Sequence, residues 1–390
     1  MSPQKIILLL INKFPKLFRR VSFDIFAILN YLFFFTFLPL NKILFLVIKK
    51  KILKNQNIKK IIIRNDNLGD CILTLPFLYG SFQKNENNYY ISPILKKITE
   101  ELNINCKWKS QLNIPKNQDC IISNLSTSKI SSFSEYFSSY SNKIIFTQFN
   151  TDIFSKRGIP IIFHPKYNIN KSQTLFISNC FKKLHINSDP IKGIKIINSN
   201  IEKYIKKRTN YLVIFLGYGI DEGRKINQYL FNNIIEIAKN RSLDPIILEE
   251  PGFEKNIQKI AKYHNIKTKS CKTYLELFIF FKESKYAIGY DCGPMHLASI
   301  LTNSIMLFSH TPINFFGKHI WNELISSKKL ITNNYKIKII KQLNLATFKK
   351  NWIICQDERG CPLHKKVCRN NKCSELNNSI LKEAIELIIK

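Results

Sequence analysis

The chain has 390 residues, 45% of them hydrophobic, which is too long for one ordinary domain of about 150 residues and too apolar for a disordered segment. Its 60 Lys and Arg against 27 Asp and Glu give a formal charge of +33, which favours anionic partners such as anionic lipid or phosphorylated small molecules. The basic residues form no block interleaved with aromatics and no nucleic-acid-binding motif is present, so nucleic acid is not an expected partner. Ten cysteines scattered through a long chain without a secretory signal point to buried thiols in a reducing compartment, and the cytoplasm is the expected location.

Residues 1–57 differ from the rest. Residues 25–41 carry no charge, are crowded with Phe and Leu, and continue after Lys42 as a second apolar run over 43–48. A bilayer span takes about 20 apolar residues, and Asn30 and Pro39 interrupt this one. Lys13, Lys16, Arg19 and Arg20 precede it while Lys49, Lys50, Lys51 and Lys54 follow it, so no orientation is favoured. The pattern predicts peripheral or re-entrant association with the anionic face of an inner membrane; the plainer alternative is a helix pair packed on the protein's own core.

From residue 58 onward strands and helices alternate. A strand over 60–64, a turn over 65–69 and a helix over 70–79 open the series, and strands over 89–92, 120–123 and 143–147 follow. A basic, helical stretch around 201–207 leads into a second series. It contains strands over 211–216, 245–248, 286–289 and 304–308, with helices over 227–238, 254–263, 275–281 and 295–301. Alternation of this kind predicts an α/β fold with two Rossmann-like, doubly wound lobes over 58–205 and 206–345, and a cysteine-containing tail over 346–390. Ligands in such sheets bind beyond the carboxyl ends of the strands.

Chemistry-bearing residues fall at those strand ends. Tyr290-Asp291-Cys292-Gly293-Pro294-Met295-His296 reads as a strand end, a tight turn and a helix start, where outward N–H groups can receive a phosphate beside Asp291 and His296. Asp70 opens the first helix; it is either an N-cap or a base able to take a proton from a hydroxyl nucleophile, with Asp66 the weaker candidate. Residues 217–225 form a glycine-containing polar loop from Gly217 to Arg224 and Lys225, whose cations can neutralise a departing phosphate or remain solvated. Glu254 can accept hydrogen bonds from a ribose or base, or serve the dipole of its own helix. No Asp-x-Asp pair occurs, so no metal or other cofactor is expected. Cys355, Cys361, Cys368 and Cys373 with His364 lack the paired spacing of a zinc site and read as buried thiols.

Three regions together resemble the family 9 glycosyltransferases, the group that includes the lipopolysaccharide heptosyltransferases. They are Ile62-Ile63-Arg64 with Leu68-Gly69-Asp70 and Thr74-Leu75-Pro76, residues 289–298, and the tail ending in a helix. The resemblance implies a GT-B architecture, an acceptor bound by the first lobe, a nucleotide-sugar such as ADP-heptose bound by the second, and an inverting, metal-independent transfer to a lipid-linked or polysaccharide acceptor. It casts Asp70 as general base, Lys225 on the donor diphosphate, Glu254 on the nucleoside, and Asp291, Gly293 and His296 around the donor phosphates and sugar, with Met295 at the same helix start. Cys292 departs from the small hydroxyl residue common after the motif acid, and residues 217–224 from the usual hydroxyl-rich loop. A non-catalytic protein binding anionic lipid or glycan on the same fold is the alternative.

Overall fold

A computed structural model of the protein describes residues 60–64, 68–81, 88–103, 109–110, 120–124, 143–146, 161–163, 172–183, 186–218, 225–309, 311, 313–332, 335–355 and 378–389. The apolar stretch before residue 58, Asp66, Arg224, His364 and the cysteines at 361, 368 and 373 lie outside these spans. No helix among the described residues is long and apolar enough to cross a membrane.

In chain order the first elements are β1 (Lys60–Arg64), α1 (Leu68–Ser81), β2 (Asn88–Ile91), α2 (Pro93–Glu101), β3 (Lys109–Ser110), β4 (Cys120–Asn124), β5 (Lys143–Phe146), β6 (Ile161–Phe163), α3 (Gln173–Lys183) and α4 (Pro190–Glu202). Then follow β7 (Tyr211–Phe215), α5 (Gln228–Asn240), β8 (Asp244–Leu248), α6 (Glu254–His264), β9 (Lys267–Lys269), α7 (Tyr274–Glu283), β10 (Tyr286–Tyr290), α8 (Gly293–Leu301) and β11 (Asn303–Phe308). The chain closes with α9 (Ile313–Phe316), β12 (Asn322–Thr332), β13 (Tyr335–Asn344), β14 (Lys350–Cys355) and α10 (Asn378–Ile388). By compactness the residues fall into two units, 1–64 with 114–165, and 65–113 with 166–390.

In the first unit β1, β4, β5 and β6 pair side by side, all parallel. The second unit holds the short parallel pair β2–β3 and an eight-stranded sheet in the order β12-β13-β14-β11-β10-β7-β8-β9. Its centre is parallel, as the alternation of strand and helix requires. One edge departs from that expectation: β12 and β13 are antiparallel to each other, and β13 is antiparallel to β14. The β12–β13 pairing closes at Thr332 opposite Tyr335, a connection far too short for the crossover that a parallel pair needs.

Helix boundaries in the second unit follow from their caps. Ser92 accepts from the Leu95 N–H before Pro93, Asp189 from Ile191 and Lys192 before Pro190, Asn227 from Leu230, and Thr273 from Glu276. The predicted basic helix at 201–207 instead ends at Glu202, because the helix starts earlier at the Asp189-Pro190 cap. Its partner is α1. A Cβ on Gly80 would fall 2.0 Å from the Asp189 carbonyl oxygen, and one on Gly193 would fall 1.8 Å from that of Pro76, so α1 and α4 meet backbone to backbone. On one face of the large sheet, Leu230 and Ile234 of α5 and Leu381 and Ile385 of α10 cover Ile214, Ile247, Ile288 and Ile305 in one continuous core. The layer holds the carboxyl ends of β7 and β10 still, and the polar loops begin there.

Candidate active site

Helices α1 and α8 meet at their N-termini. A Cβ on Gly293 would lie 2.9 Å from the Gly69 nitrogen and 3.2 Å from the Leu68 side chain, so only glycine permits this approach. A Cβ on Gly69 would touch the Gly293 Cα at 3.4 Å and the His296 ring at 3.6 Å. The two glycine motifs, distant in sequence, thus form one locus within the second unit. N–H groups at two helix starts converge there, an arrangement that favours negative charge.

Asp70 is the third residue of α1, in the first turn of the helix rather than at its cap, because the helix starts at Leu68. Its side chain is buried, and its Oδ1 accepts a 2.7 Å hydrogen bond from Gln173 Nε2 at the start of α3. Since an ionised carboxylate can only accept, the amide nitrogen must be the atom that faces it. The neighbouring residue Thr174 receives the Ile320 N–H on its Oγ1 at 2.9 Å, which ties α3 to the loop carrying His319 and Trp321.

On the α8 side, His296 Nε2 lies 3.1 Å from Asp291 Oδ1, and both side chains are buried. His319 packs its ring edgewise on His296, with centroids 5.3 Å apart, and lies 5.0 Å from the Trp321 ring, which in turn meets Phe77 of α1 at 6.0 Å. Burial, reinforced by the neighbouring His296 and opposed only by Asp291, holds His319 well below the usual imidazole range, so this ring is neutral at pH 7. Several buried polar atoms in the cluster have no hydrogen-bond partner among the described residues: Gln173 Oε1, His296 Nδ1, both His319 nitrogens and Trp321 Nε1. Met295 turns inward, its Sδ lying 3.1 Å from where a Cβ on Gly289 would be, so its side chain packs beneath the site.

A second group surrounds the end of β7. Gly217 takes φ of +83°, a conformation open to glycine, and its N–H donates to the buried carboxylate of Glu250 at 2.7 Å. Lys225 Nζ lies 5.5 Å above the ring of Tyr218, which stacks against Phe253 at 6.0 Å. Glu254 accepts from the Gly252 N–H at 3.0 Å, and its bonds to the backbone N–H groups of Glu254 and Gly252 lower its carboxyl below the ordinary range. Gln173, Glu250, His319 and Trp321 are site residues that motif reading missed. The available signal was scarcity: the chain has only 7 His and 3 Trp, and one of each falls in the short stretch between α9 and β12.

No protein-family model and no curated protein matches the sequence. Among solved structures the chain is similar to the glycosyl transferase family 9 protein from Veillonella parvula DSM 2008, at 13% identity and a TM-score of 0.53 over 85% of this chain and 97% of that one. It is likewise similar to E. coli heptosyltransferase WaaC with ADP, and to the same enzyme with ADP-2-deoxy-2-fluoro heptose. Each match has 11% identity and a TM-score of 0.52, over 84% of this chain and 99% of the other. The fold is that of the family 9 glycosyltransferases. The GT-B expectation and the resemblance read from the glycine motifs are therefore borne out at the level of fold. Within that fold, the Asp70 and Asp291 motifs meet at the Gly69–Gly293 contact.

Proposed function

We propose that this protein is an inverting, metal-independent glycosyltransferase that moves a sugar from a nucleotide-sugar to a lipopolysaccharide-core or other glycan acceptor. The observation that carries the reading is the buried Asp70 carboxylate, held by Gln173 beside the glycine contact that brings His296 and Asp291 to the same locus. In this reading the acceptor hydroxyl oxygen attacks the anomeric carbon and its proton passes to Asp70. The bond from that carbon to the diphosphate breaks, and the nucleoside diphosphate leaves with the electron pair. Lys225 and Arg224, with the N–H groups at the start of α8, neutralise its charge, and the missing Asp-x-Asp pair supports protein cations in place of a metal. Glu254 would hold the nucleoside.

The fold neighbours with ADP and an ADP-sugar support a nucleotide-sugar donor, ADP-heptose first among those to try. The acceptor in this reading is lipid-linked or a polysaccharide, and the lipid-linked form agrees with an apolar, lysine-flanked N-terminal segment that would keep the protein peripheral or re-entrant at an inner membrane. The division into an acceptor lobe and a donor lobe near residue 205 belongs to the same proposal.

Asp70→Asn keeps the shape and removes the base. Turnover is expected to fall by about 10³-fold while nucleotide-sugar affinity stays within a factor of about two, measured by nucleoside diphosphate release and by calorimetric titration. Turnover retained in Asp70→Asn removes this residue from the role. Absence of nucleotide-sugar binding and of transfer in the parent protein would favour the non-catalytic alternative.

A further inference from the structure

Gln173 is 1% exposed, its Nε2 is committed to Asp70, and its Oε1 has no partner among the described residues. Leaving an acceptor atom buried and unpaired costs about 1–3 kcal/mol, so such an atom in a site calls for a ligand that donates to it. The neighbouring unpaired atoms belong to groups of the same kind. His319 is a neutral imidazole with one donor and one acceptor, and Trp321 offers a single N–H. An amide, a neutral imidazole and an indole suit uncharged hydroxyls; a phosphate is better served by cations and helix N-termini.

We infer that Gln173 is a two-sided residue of the acceptor subsite: its Nε2 positions the Asp70 carboxylate, and its Oε1 accepts from the acceptor-sugar hydroxyl adjacent to the one that attacks. The inference rests on the reading of Asp70 as the base. A hydroxyl giving its proton to Asp70 must touch the carboxylate that Gln173 holds, so a second hydroxyl on the next carbon falls beside the other atom of the same amide. The acceptor class is thus a sugar with two adjacent free hydroxyls. His319, tied across the Thr174–Ile320 hydrogen bond, extends the same neutral wall.

The test uses the full chain labelled with carboxyl-¹³C aspartate, the Asp70 resonance being assigned by its loss in Asp70→Asn. In Gln173→Met, which keeps the length and removes both hydrogen-bonding atoms, the Asp70 ionisation midpoint is expected about one pH unit above that of the parent. An unmoved midpoint overturns the positioning role. Saturation-transfer NMR with methyl hexosides and heptosides, each beside its monodeoxy derivatives, tests the second side. Removing one hydroxyl should weaken binding to the parent about tenfold and leave binding to Gln173→Met unchanged; equal sensitivity in both proteins overturns the contact. If Gln173→Met does not fold, Gln173→Asn replaces it, since it withdraws both polar atoms by one methylene. Turnover retained by Asp70→Asn removes Asp70 from the base role on which the inference rests, and no glycoside binding by the parent overturns the acceptor subsite. An inactive Asp70→Asn with an unmoved titration overturns the role of Gln173 alone.

Discussion

A buried neutral histidine makes stability depend on pH in a defined direction. His319 in the folded protein takes a proton only well below its ordinary value of 6.5, whereas the unfolded chain takes one near 6.5. Its contribution to stability is therefore fully present above pH 6.5 and is lost as pH falls from there toward the folded-state value. Urea denaturation of the parent between pH 7.5 and 5.5 should show this loss, and His319→Gln should flatten the slope below pH 6.5. A slope identical in the two proteins would assign the acid sensitivity to other groups. The neighbouring ionisable side chains, His296 and Asp291, remain in both, so the difference reports His319.

Among the elements, two contacts have measurable consequences. Gly193→Ala puts a methyl group 1.8 Å from the Pro76 carbonyl oxygen, and because both partners are helix backbone no side chain can move aside. A loss of about 3 kcal/mol in chemical denaturation is expected, against well under 1 kcal/mol for an exposed substitution. Glu101 of α2 accepts from the Tyr274 and Leu275 N–H groups at the start of α7, where a carboxylate opposes the positive end of the helix. Glu101→Gln keeps an acceptor but removes the charge, and about 1 kcal/mol of stability should go with it, less in high salt.

The elements also show which parts of the fold were legible. Strands such as β7 and β10 are short apolar runs ending at glycine or an acid, and helices α5 and α6 carry apolar residues at helical spacing behind a turn, so local pattern was enough. Helix α3 was not foreseen. Its sequence, QTLFISNCFKK, mixes β-branched, aromatic and amide residues with weak periodicity, and its packing against α1 decides its state. The β12–β13 hairpin was missed because β12 lies largely exposed at the sheet edge and alternates weakly, while β13 is held between β12 and β14 and takes its state from those partners.

At the scale of the whole molecule, a charge of +33 and a site built from two helix N-termini both favour an anionic ligand. If the proposed function holds, nucleotide-sugars screened by thermal unfolding should separate a donor that binds from the rest. A donor at a hundred times its dissociation constant stabilises the native state by about 2.7 kcal/mol, and nucleotides that do not bind leave the midpoint where it was. ADP-heptose is the first to test, and a panel in which none moves the midpoint would count against the transferase reading.

The sequence by itself determined the α/β alternation, the glycine positions at strand ends and the acids beside them, because these depend on local backbone geometry and on side-chain period. The tertiary structure decided that Gly69 and Gly293 touch and that Gln173, more than a hundred residues from Asp70, supplies its hydrogen bond. It also decided that His319 is buried beside His296 and kept neutral. Contacts of that kind depend on close packing between distant segments, and burial then fixes protonation; neither leaves a periodic trace along the chain.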